Sequence, residues 1–224
     1  MSQQPNETGK TYRVLIVDDH PLMREGLTEV LERDPRLKIC GEADDRQGAL
    51  TAIRETNPDL VVVDLALKNS HGLELLKDIA AQLPQVRSLV VSMHEETINA
   101  ERAVRAGASG YITKQEATTK ILQAVFKVLA GEIYLSERAA AQIAAKIAGK
   151  RRDHGSVVDA LTDRELQVFQ LLGKGKTVRQ IAAELHLDAS TVETYRARIK
   201  EKLNLKNSVE LLQTAIEWNS NNGI

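Results

Sequence analysis

Polar side chains suited to phosphate chemistry follow four of the five short apolar runs in the first part of the chain. Asp18 and Asp19 close the first run, Asp64 the third, Ser92 the fourth and Lys114 the fifth. Converging carboxylates repel one another unless a cation joins them, and carboxylate and carbonyl oxygens are the ligands that Mg²⁺ prefers. A lysine can neutralise phosphoryl oxygens, and a serine hydroxyl can donate to one. Such a cluster would let Asp64 act as a nucleophile that forms an acyl phosphate.

These residues need a scaffold that brings the ends of the runs together. The runs are rich in β-branched residues and predict strands at 13–18, 37–43, 60–64, 88–91 and 110–113. Segments with helical periodicity separate or follow them, at 21–33, 47–55, 73–83, 96–106 and 118–129. Strands that are apolar on both faces and alternate with helices indicate a parallel sheet covered on both sides. We therefore predict an α/β domain with a doubly wound five-stranded parallel sheet, whose carboxyl edge gathers the polar residues.

Composition excludes several other classes of protein. The 224 residues are 42% hydrophobic and 27% charged, which is ordinary for globular chains and unlike disordered or fibrous ones. No apolar run approaches the ~18 residues of a membrane span. Residues 1–11 lack the apolar core of a secretory signal. The single Cys40 excludes an internal disulfide and fits a reducing compartment. We expect a soluble, cytoplasmic protein without membrane contact.

The chain length and a change of pattern indicate two domains. We assign residues 1–11 to a flexible tail, 12–130 to the α/β domain, 131–160 to a helical linker and loop, and 161–224 to a smaller all-α domain. Four short helices are predicted in this last part, with N-caps at Thr162, Thr177 and Asp188 for the first three and a fourth over 208–218. The second and third helices are joined by a tight turn, which is typical of a helix-turn-helix.

Charge is distributed unevenly between the two parts. The net charge of the whole chain is −1, but residues 1–130 carry 16 basic and 19 acidic side chains (net −3) and residues 131–224 carry 14 and 12 (net +2). Between positions 196 and 206 five basic residues accompany one acidic residue, Glu201. They are Arg196, Arg198, Lys200, Lys202 and Lys206. This run is either a surface for phosphates or an ordinary solvated helix face.

Both halves resemble known families. Residues 12–130 resemble the receiver domain of two-component response regulators, with the acidic pair, the phosphoacceptor position Asp64, the switch hydroxyl Ser92, the aromatic switch position Tyr111 and Lys114. Residues 161–218 resemble the LuxR-type helix-turn-helix, through LTDREL at 161–166, QIAAELHL at 180–187 and TVETYRARIKEKL at 191–203. The chain as a whole resembles a response regulator of the NarL/LuxR type.

The resemblance implies a phosphoacceptor site. Asp64 would take a phosphoryl group from the phosphohistidine of a sensor histidine kinase. Asp19, Asp64 and the backbone carbonyl of Ala66 would hold Mg²⁺, and Asp18 would complete the acidic pocket. Ala66 also argues against a phosphatase of the haloacid dehalogenase type, which has a general-acid Asp at this position. The protein would then be no turnover enzyme, with at most slow autodephosphorylation. His94 either orders the attacking water or is an exposed loop histidine.

The resemblance also implies a switch. The phosphoryl oxygens would draw Ser92 and Lys114 inward, and Tyr111 would rotate into the space that Ser92 leaves. The affected face, residues 95–106 and the last strand, would then support a homodimer when phosphorylated. Two positions depart from the family pattern. Lys68 stands where proline is usual, which predicts a more mobile loop, and His71 stands where an acid or amide usually precedes the glycine.

The third helix of the second domain, 189–203, is expected in the major groove of double-stranded DNA. Its amino-terminal half would present Ser190, Glu193, Thr194 and Ala197 to base edges. Phosphates would be contacted by the basic side chains Arg196, Arg198 and Lys200, together with Thr177 at the start of the second helix. Glu193 stands where the family usually has lysine. It either accepts a hydrogen bond from cytosine N4, or forms a capping box with Ser190 and makes no contact with DNA.

The sequence leads to a phosphorylation-controlled DNA-binding transcription regulator. Two other readings stay open at this point. The helical domain could bind a protein partner instead of DNA, or the receiver-like domain could be inert to phosphate. The complete set of Asp18, Asp19, Asp64, Ser92 and Lys114 argues against the second of these.

Overall fold

The computed structural model describes residues 10–67, 70–93, 96–148, 158 and 160–222. Residues 1–9 of the predicted tail, the polar stretch at 150–156, Lys68 and His94 lie outside these ranges. The chain divides into two compact units, Met1–Ser136 and Glu137–Ile224. Within the described ranges, every helix is too short or too polar to cross a membrane.

The first unit is an α/β domain built around one parallel sheet. Its strands are β1 (Tyr12–Val17), β2 (Leu37–Ala43), β3 (Leu60–Val63), β6 (Arg87–Ser92) and β7 (Gly110–Thr113), in the order β2-β1-β3-β6-β7. The strands β4 (Ala66–Leu67) and β5 (Ser70–His71) form a separate hairpin, described below. Its helices are α1 (Pro21–Leu31), α2 (Arg46–Thr56), α3 (Gly72–Gln82), α4 (Glu96–Arg105) and α5 (Lys114–Leu129). The predicted fold class, a doubly wound five-stranded parallel sheet, is confirmed.

The sheet forms because its central strands are apolar on both faces. All four residues of β3, LVVV, are buried, and β1 is buried from Val14 to Val17. Side chains on one face pack against α1 and α5, in a core that includes Leu31, Ile121 and Val125. Burial on both faces fixes the position of each strand end, and therefore the positions of the polar residues that follow the strands.

The register brings the strand ends side by side. β1 pairs with β3 through Val17↔Val63, so the next residue of each strand is an aspartate, Asp18 and Asp64. On the other side, β6 pairs with β7 through Ser92↔Thr113, and Lys114 follows directly. The polar residues of four strands therefore share one edge of the sheet.

Two local elements differ from the sequence prediction. A small antiparallel hairpin of β4 (Ala66–Leu67) and β5 (Ser70–His71) follows β3, where no strand was predicted. Helix α5 begins at Lys114, four residues before the predicted start at Thr118, because the Thr113 hydroxyl caps it by accepting from the Glu116 N–H. Beyond α5, Tyr134 bridges to Gly110 at the edge of β7.

The second unit is helical. It contains α6 (Glu137–Ile147), α7 (Asp163–Gly173), α8 (Val178–Glu184), α9 (Ala189–Lys202) and α10 (Ser208–Asn222). The N-caps at Thr162, Thr177 and Asp188 are confirmed, the first two as reciprocal capping boxes. Phe169 of α7 meets Trp218 of α10 edge to face, with ring centroids 5.8 Å apart. The second, smaller all-α domain of the prediction is thus observed.

Helices α7 and α10 approach each other very closely at Gly173. A Cβ at this position would lie 2.4 Å from the backbone oxygen of Ala215 and 2.4 Å from Nδ2 of Asn219. Asn219 Nδ2 in turn donates to the Gln170 backbone oxygen at 2.9 Å. The glycine is therefore needed because of the contact between the two helices.

Candidate functional site

The phosphoacceptor candidate lies at the carboxyl edge of the sheet and is held by backbone hydrogen bonds. The Asp64 N–H donates to the Val17 oxygen at 2.8 Å, and the Asp18 N–H to the Ala43 oxygen at 3.1 Å. Both aspartates are buried, with side chains 2% (Asp18) and 3% (Asp64) exposed. Two buried carboxylates this close require compensating positive charge.

Lys114 supplies that charge. Its Nζ lies 2.6 Å from Oδ2 of Asp18 and 2.7 Å from Oδ2 of Asp64, and its own side chain is only 8% exposed. The lysine reaches this position because α5 begins at Lys114 itself, directly after β7. Although burial opposes its charged form, the two carboxylates hold the pKa of Lys114 above its ordinary value. The lysine therefore bridges the two aspartates that sequence analysis assigned to the acidic pocket.

Asp64 keeps one oxygen available. Its Oδ1 is buried and has no hydrogen-bond partner among the described residues, whereas Oδ2 is held by Lys114. Burial raises the pKa of Asp64 to about 6, against the opposing attraction of Lys114, and repulsion from Asp18 adds to the rise. An unpaired buried carboxylate oxygen is costly, which is typical of an atom kept for a ligand or a reaction.

The acidic pocket has a fourth member that sequence analysis missed. Nδ1 of His20 lies 2.6 Å from Oδ1 of Asp19 and 3.3 Å from Oδ1 of Asp18. One ligand atom from each of Asp18, Asp19, His20 and Asp64 lies within 4.8 Å of the others. The only sequence signal for His20 is that it directly follows the acidic pair.

This donor set fits a magnesium ion. Three of its four members, Asp18, Asp19 and Asp64, are carboxylates, whose oxygens are the ligands that Mg²⁺ prefers. The residue that was predicted to add a backbone carbonyl, Ala66, begins β4 two positions after Asp64. The site therefore carries the predicted acidic cluster at the place where a receiver domain would hold Mg²⁺.

Ser92 and Tyr111 lie side by side in the interior. Both are fully buried, and their hydroxyl groups are hydrogen-bonded to each other. Burial raises the pKa of Tyr111 well above its ordinary value, so the phenol stays neutral. Tyr111 is therefore buried beside Ser92, and its rotation into the space of Ser92 stays a prediction.

The loop after Asp64 is closed by tight backbone packing. A Cβ on Gly72 would lie 2.2 Å from the Asp64 backbone oxygen, so only glycine allows α3 to start here. His71, one of the departures from the family pattern, is the N-cap of α3, and its Nδ1 accepts from the Leu73 N–H at 3.0 Å. The other departure, Lys68, lies outside the described residues, as does His94.

In the second unit, α9 presents one exposed face. Val192 and Ile199 are fully buried against the rest of the unit. The predicted base-contacting residues Ser190, Glu193, Thr194 and Ala197 are all exposed on the opposite side. Among the predicted phosphate contacts, Thr177 and Arg198 are exposed, and Arg196 and Lys200 are half-buried.

The alternative in which Glu193 forms a capping box with Ser190 is wrong. The N-cap of α9 is Asp188, so Ser190 lies inside the helix. Glu193 instead accepts a hydrogen bond at Oε1 from a guanidinium NH of Arg196, at 2.7 Å. The side chain of Arg196 is 20% exposed, against 57% for Glu193.

Part of the basic run belongs to the fold of this unit. Lys202 Nζ lies 2.6 Å from Oε2 of Glu165, whose side chain is 2% exposed at the start of α7. The same Oε2 accepts from the Thr162 N–H at 2.7 Å. Sequence analysis counted Lys202 in a basic run that was either a surface for phosphates or a solvated helix face, because its partner lies 37 residues away along the chain.

Comparison with known proteins agrees with both units. Residues 14–126 match the family described as "Response regulator receiver domain", and residues 159–215 match "Bacterial regulatory proteins, luxR family". Response regulator GacA of Pseudomonas aeruginosa is 36% identical over 204 residues, which cover 91% of this chain and 95% of that protein. The DNA-binding transcriptional activator DevR/DosR of Mycobacterium tuberculosis is 34% identical over 205 residues, 92% of this chain and 94% of that protein.

Solved structures show the same architecture. A two-component response regulator of the LuxR family from Aurantimonas is 38% identical, with a TM-score of 0.57, and covers 62% of this chain and 99% of its own. RcsB from Salmonella enterica bound to promoter rprA has a TM-score of 0.58 over 91% of this chain and 98% of its own, at 22% identity, so this likeness concerns the fold alone.

A receiver domain joined to a luxR-family DNA-binding domain defines a response regulator. The chain belongs to the NarL/LuxR-type family of two-component response regulators.

Proposed function

We propose that this protein is a transcription regulator whose DNA binding is controlled by phosphorylation of Asp64. The observation that carries the proposal is the state of the Asp64 carboxylate. One oxygen is held by Lys114 and the other is buried without a partner in the described chain, at the edge of an acidic pocket. This arrangement supports a nucleophile that is oriented at one oxygen and free at the other.

In the proposed reaction, Asp64 Oδ1 attacks the phosphorus of a phosphohistidine on a sensor histidine kinase. The new bond is P–O, the P–N bond breaks, and its electron pair stays on the imidazole nitrogen, which takes up a proton. A Mg²⁺ ion held by Asp19, Asp64 and the Ala66 backbone carbonyl, with Asp18 completing the pocket, would neutralise the transferred charge. Lys114 already lies 2.7 Å from Asp64 and is placed to donate to a phosphoryl oxygen.

The proposed switch runs from Asp64 to Tyr111. A phosphoryl oxygen is a stronger acceptor than a phenol, so the Ser92 hydroxyl would turn from Tyr111 toward the phosphoryl group. Tyr111, which is fully buried beside Ser92, would then rotate into the space that Ser92 leaves. The neighbouring face, residues 95–106 and β7, would then form a homodimer.

The proposed output is binding of double-stranded DNA as a dimer. Helix α9 would enter the major groove, with Ser190, Glu193, Thr194 and Ala197 toward the bases. Thr177, Arg198 and Lys200 would bind phosphates, which gives affinity without sequence information. We assign a receiver domain to 12–130, a linker to 131–160 and the DNA-binding domain to 161–224, with the sensor kinase as partner.

The protein would not be a turnover enzyme. Ala66 stands two residues after the nucleophile and offers no side chain that could move a proton to a leaving group or from a water. The acyl phosphate would therefore persist long enough to act as a signal and would be lost by slow autodephosphorylation.

Intact-mass spectrometry of the full chain tests the phosphoacceptor. The protein is incubated with Mg²⁺ and acetyl phosphate, beside Asp64→Asn and the exposed Asp44→Asn as matched control. We expect one phosphoryl adduct in the wild type and in Asp44→Asn, none in Asp64→Asn and none without Mg²⁺. An adduct that persists in Asp64→Asn would place the phosphoacceptor elsewhere, and the absence of any adduct would indicate an inert receiver.

A further inference from the structure

We propose that Glu193 reads a cytosine in each half-site of the target DNA and that Arg196 is the positioning residue that holds its carboxylate. The proposal rests on the proposed DNA-binding function and adds the base that the recognition helix selects. It also changes the role of Arg196, which sequence analysis assigned to phosphates.

The position of Glu193 on the helix is the first argument. Exposed residues recur along α9 at 190, 193, 194 and 197, which is one stripe of an α-helix. The buried residues Val192 and Ile199 lie on the other side and fix how the helix is rotated. Glu193 stands in the first half of α9, which is the half that contacts bases in a helix-turn-helix.

The ion pair with Arg196 is the second argument. The Arg196 guanidinium lies 2.7 Å from Oε1 of Glu193. The Arg196 side chain is only 20% exposed, so most of it is packed against the protein. Within the described chain Oε2 of Glu193 takes part in no hydrogen bond. One carboxylate oxygen is thus anchored and the other is available on a side chain that is 57% exposed. The Arg196 charge also offsets the repulsion between Glu193 and DNA phosphates.

The chemistry of the carboxylate selects the base. An ionised carboxylate only accepts hydrogen bonds. In the major groove, cytosine offers the N4 donor, guanine offers two acceptors, and adenine places the N7 acceptor beside its N6 donor. Thr194 does not compete for the base as a donor, because its hydroxyl donates to the Ser190 backbone oxygen at 3.0 Å. Cytosine is therefore the base that Glu193 favours.

Selection of binding sites from a random DNA library tests this inference. The full chain is used after treatment with acetyl phosphate and Mg²⁺, beside Glu193→Gln and Glu193→Lys. We expect the wild type to enrich cytosine at one position of each half-site, with a preference on the order of tenfold over the other bases. Gln pairs well with adenine and Lys with guanine, so the two variants should change that position to adenine and guanine and leave the others unaltered.

Variants of two arginines separate positioning from phosphate binding. Arg196→Ala should reduce the cytosine preference several-fold, and Arg196→Lys, which keeps the charge, should restore part of it. Arg198→Ala, on the exposed flank of the same helix, is the matched control. It should weaken binding to all sequences alike and lower the salt slope by about 1.

Two outcomes would overturn different parts of the account. Identical base preferences in the wild type, Glu193→Gln and Glu193→Lys would refute base reading by Glu193, while leaving DNA binding intact. A wild-type protein that enriches no sequence, although mass spectrometry shows it to be phosphorylated, would refute the proposed DNA-binding function itself.

Discussion

The ion pair between the buried Glu165 and Lys202 should hold α7 and α9 of the helical unit together. Glu165 Oε2 accepts from Lys202 Nζ at 2.6 Å and from the Thr162 N–H at 2.7 Å, and the glutamate side chain is 2% exposed. A charge-assisted hydrogen bond contributes about 1.5–3 kcal/mol, and the 35% exposure of Lys202 favours the lower end of that range. Lys202→Met additionally leaves a buried carboxylate without its cation. We therefore expect Lys202→Met to lower the free energy of unfolding by about 2 kcal/mol.

A double-mutant cycle isolates the pair. Glu165→Gln keeps an oxygen for the Thr162 N–H but removes the charge. It should lower the free energy of unfolding by about 1.5 kcal/mol. Because the two groups are in contact, the double variant should be less destabilised than the sum of the single ones, with a coupling energy of about 1–1.5 kcal/mol. Lys200→Met, two residues earlier in α9, removes the same charge from the same helix and is the matched control.

The assay is urea unfolding followed by tryptophan fluorescence. Trp218 is the single tryptophan and lies in α10 against Phe169, so its emission reports on the helical unit alone. With a slope of about 1 kcal/mol/M for a domain of this size, Lys202→Met should lower the midpoint by about 2 M. A coupling energy below about 0.3 kcal/mol would refute the assignment of Lys202 to the fold.

The same pair predicts a pH dependence. Burial works against the charged form of Glu165, but Lys202 and the Thr162 N–H outweigh it and hold the glutamate pKa below its ordinary value of 4.5. A depressed pKa contributes stability that is present above the unfolded value and is lost as pH falls through the folded value. The difference in the free energy of unfolding between wild type and Lys202→Met should have its largest value at pH 7 and shrink below about pH 4.5. A difference that stays constant down to pH 3 would contradict this origin.

Two glycines lead to further predictions. Gly72→Ala should abolish the phosphoryl adduct in intact-mass spectrometry, since its Cβ would lie 2.2 Å from the Asp64 backbone oxygen, whereas Gly26→Ala, with nothing within 4 Å, should be phosphorylated normally. Equal adducts in both variants would show that the loop adapts. Gly173→Ala should destabilise the helical unit by about 1–3 kcal/mol in tryptophan-monitored unfolding, because its Cβ would lie 2.4 Å from the Ala215 backbone oxygen. An unchanged midpoint would contradict the close approach of the helices.

The sequence predicts the sheet and the edge at which its polar residues meet, because both follow from local pattern. Most of the apolar runs end in a polar residue, and parallel strands place those ends together. The sequence alone therefore predicts that Asp18, Asp64 and Lys114 meet at one edge of the sheet, as the structure shows. The hairpin at 66–71 escapes prediction because two-residue strands carry no periodicity. The start of α5 is missed because residues 114–117 lack an apolar stripe, and the signal lies in the Thr113 cap.

Side-chain contacts that the residue types alone do not reveal explain the remaining differences. Lys202 looks like one more member of a basic run until its partner Glu165 is seen 37 residues earlier. Likewise, Arg196 resembles a phosphate contact in the sequence, but it is bonded to Glu193 one turn before it. In both cases the residue type indicates charge, whereas the contacts of the side chain decide which charge faces solvent. His20 is a third example, because only its distances to Asp18 and Asp19 include it in the site.

The central claim is that a phosphoryl group on Asp64 controls DNA binding by the helical unit. The most direct measurement is the affinity of the full chain for its selected DNA, at one salt concentration, before and after treatment with acetyl phosphate and Mg²⁺, for wild type and Asp64→Asn. We predict that treatment tightens binding of the wild type about tenfold, a coupling typical of two-site control, and leaves Asp64→Asn unchanged. Equal affinities of phosphorylated and unphosphorylated wild type would contradict the account.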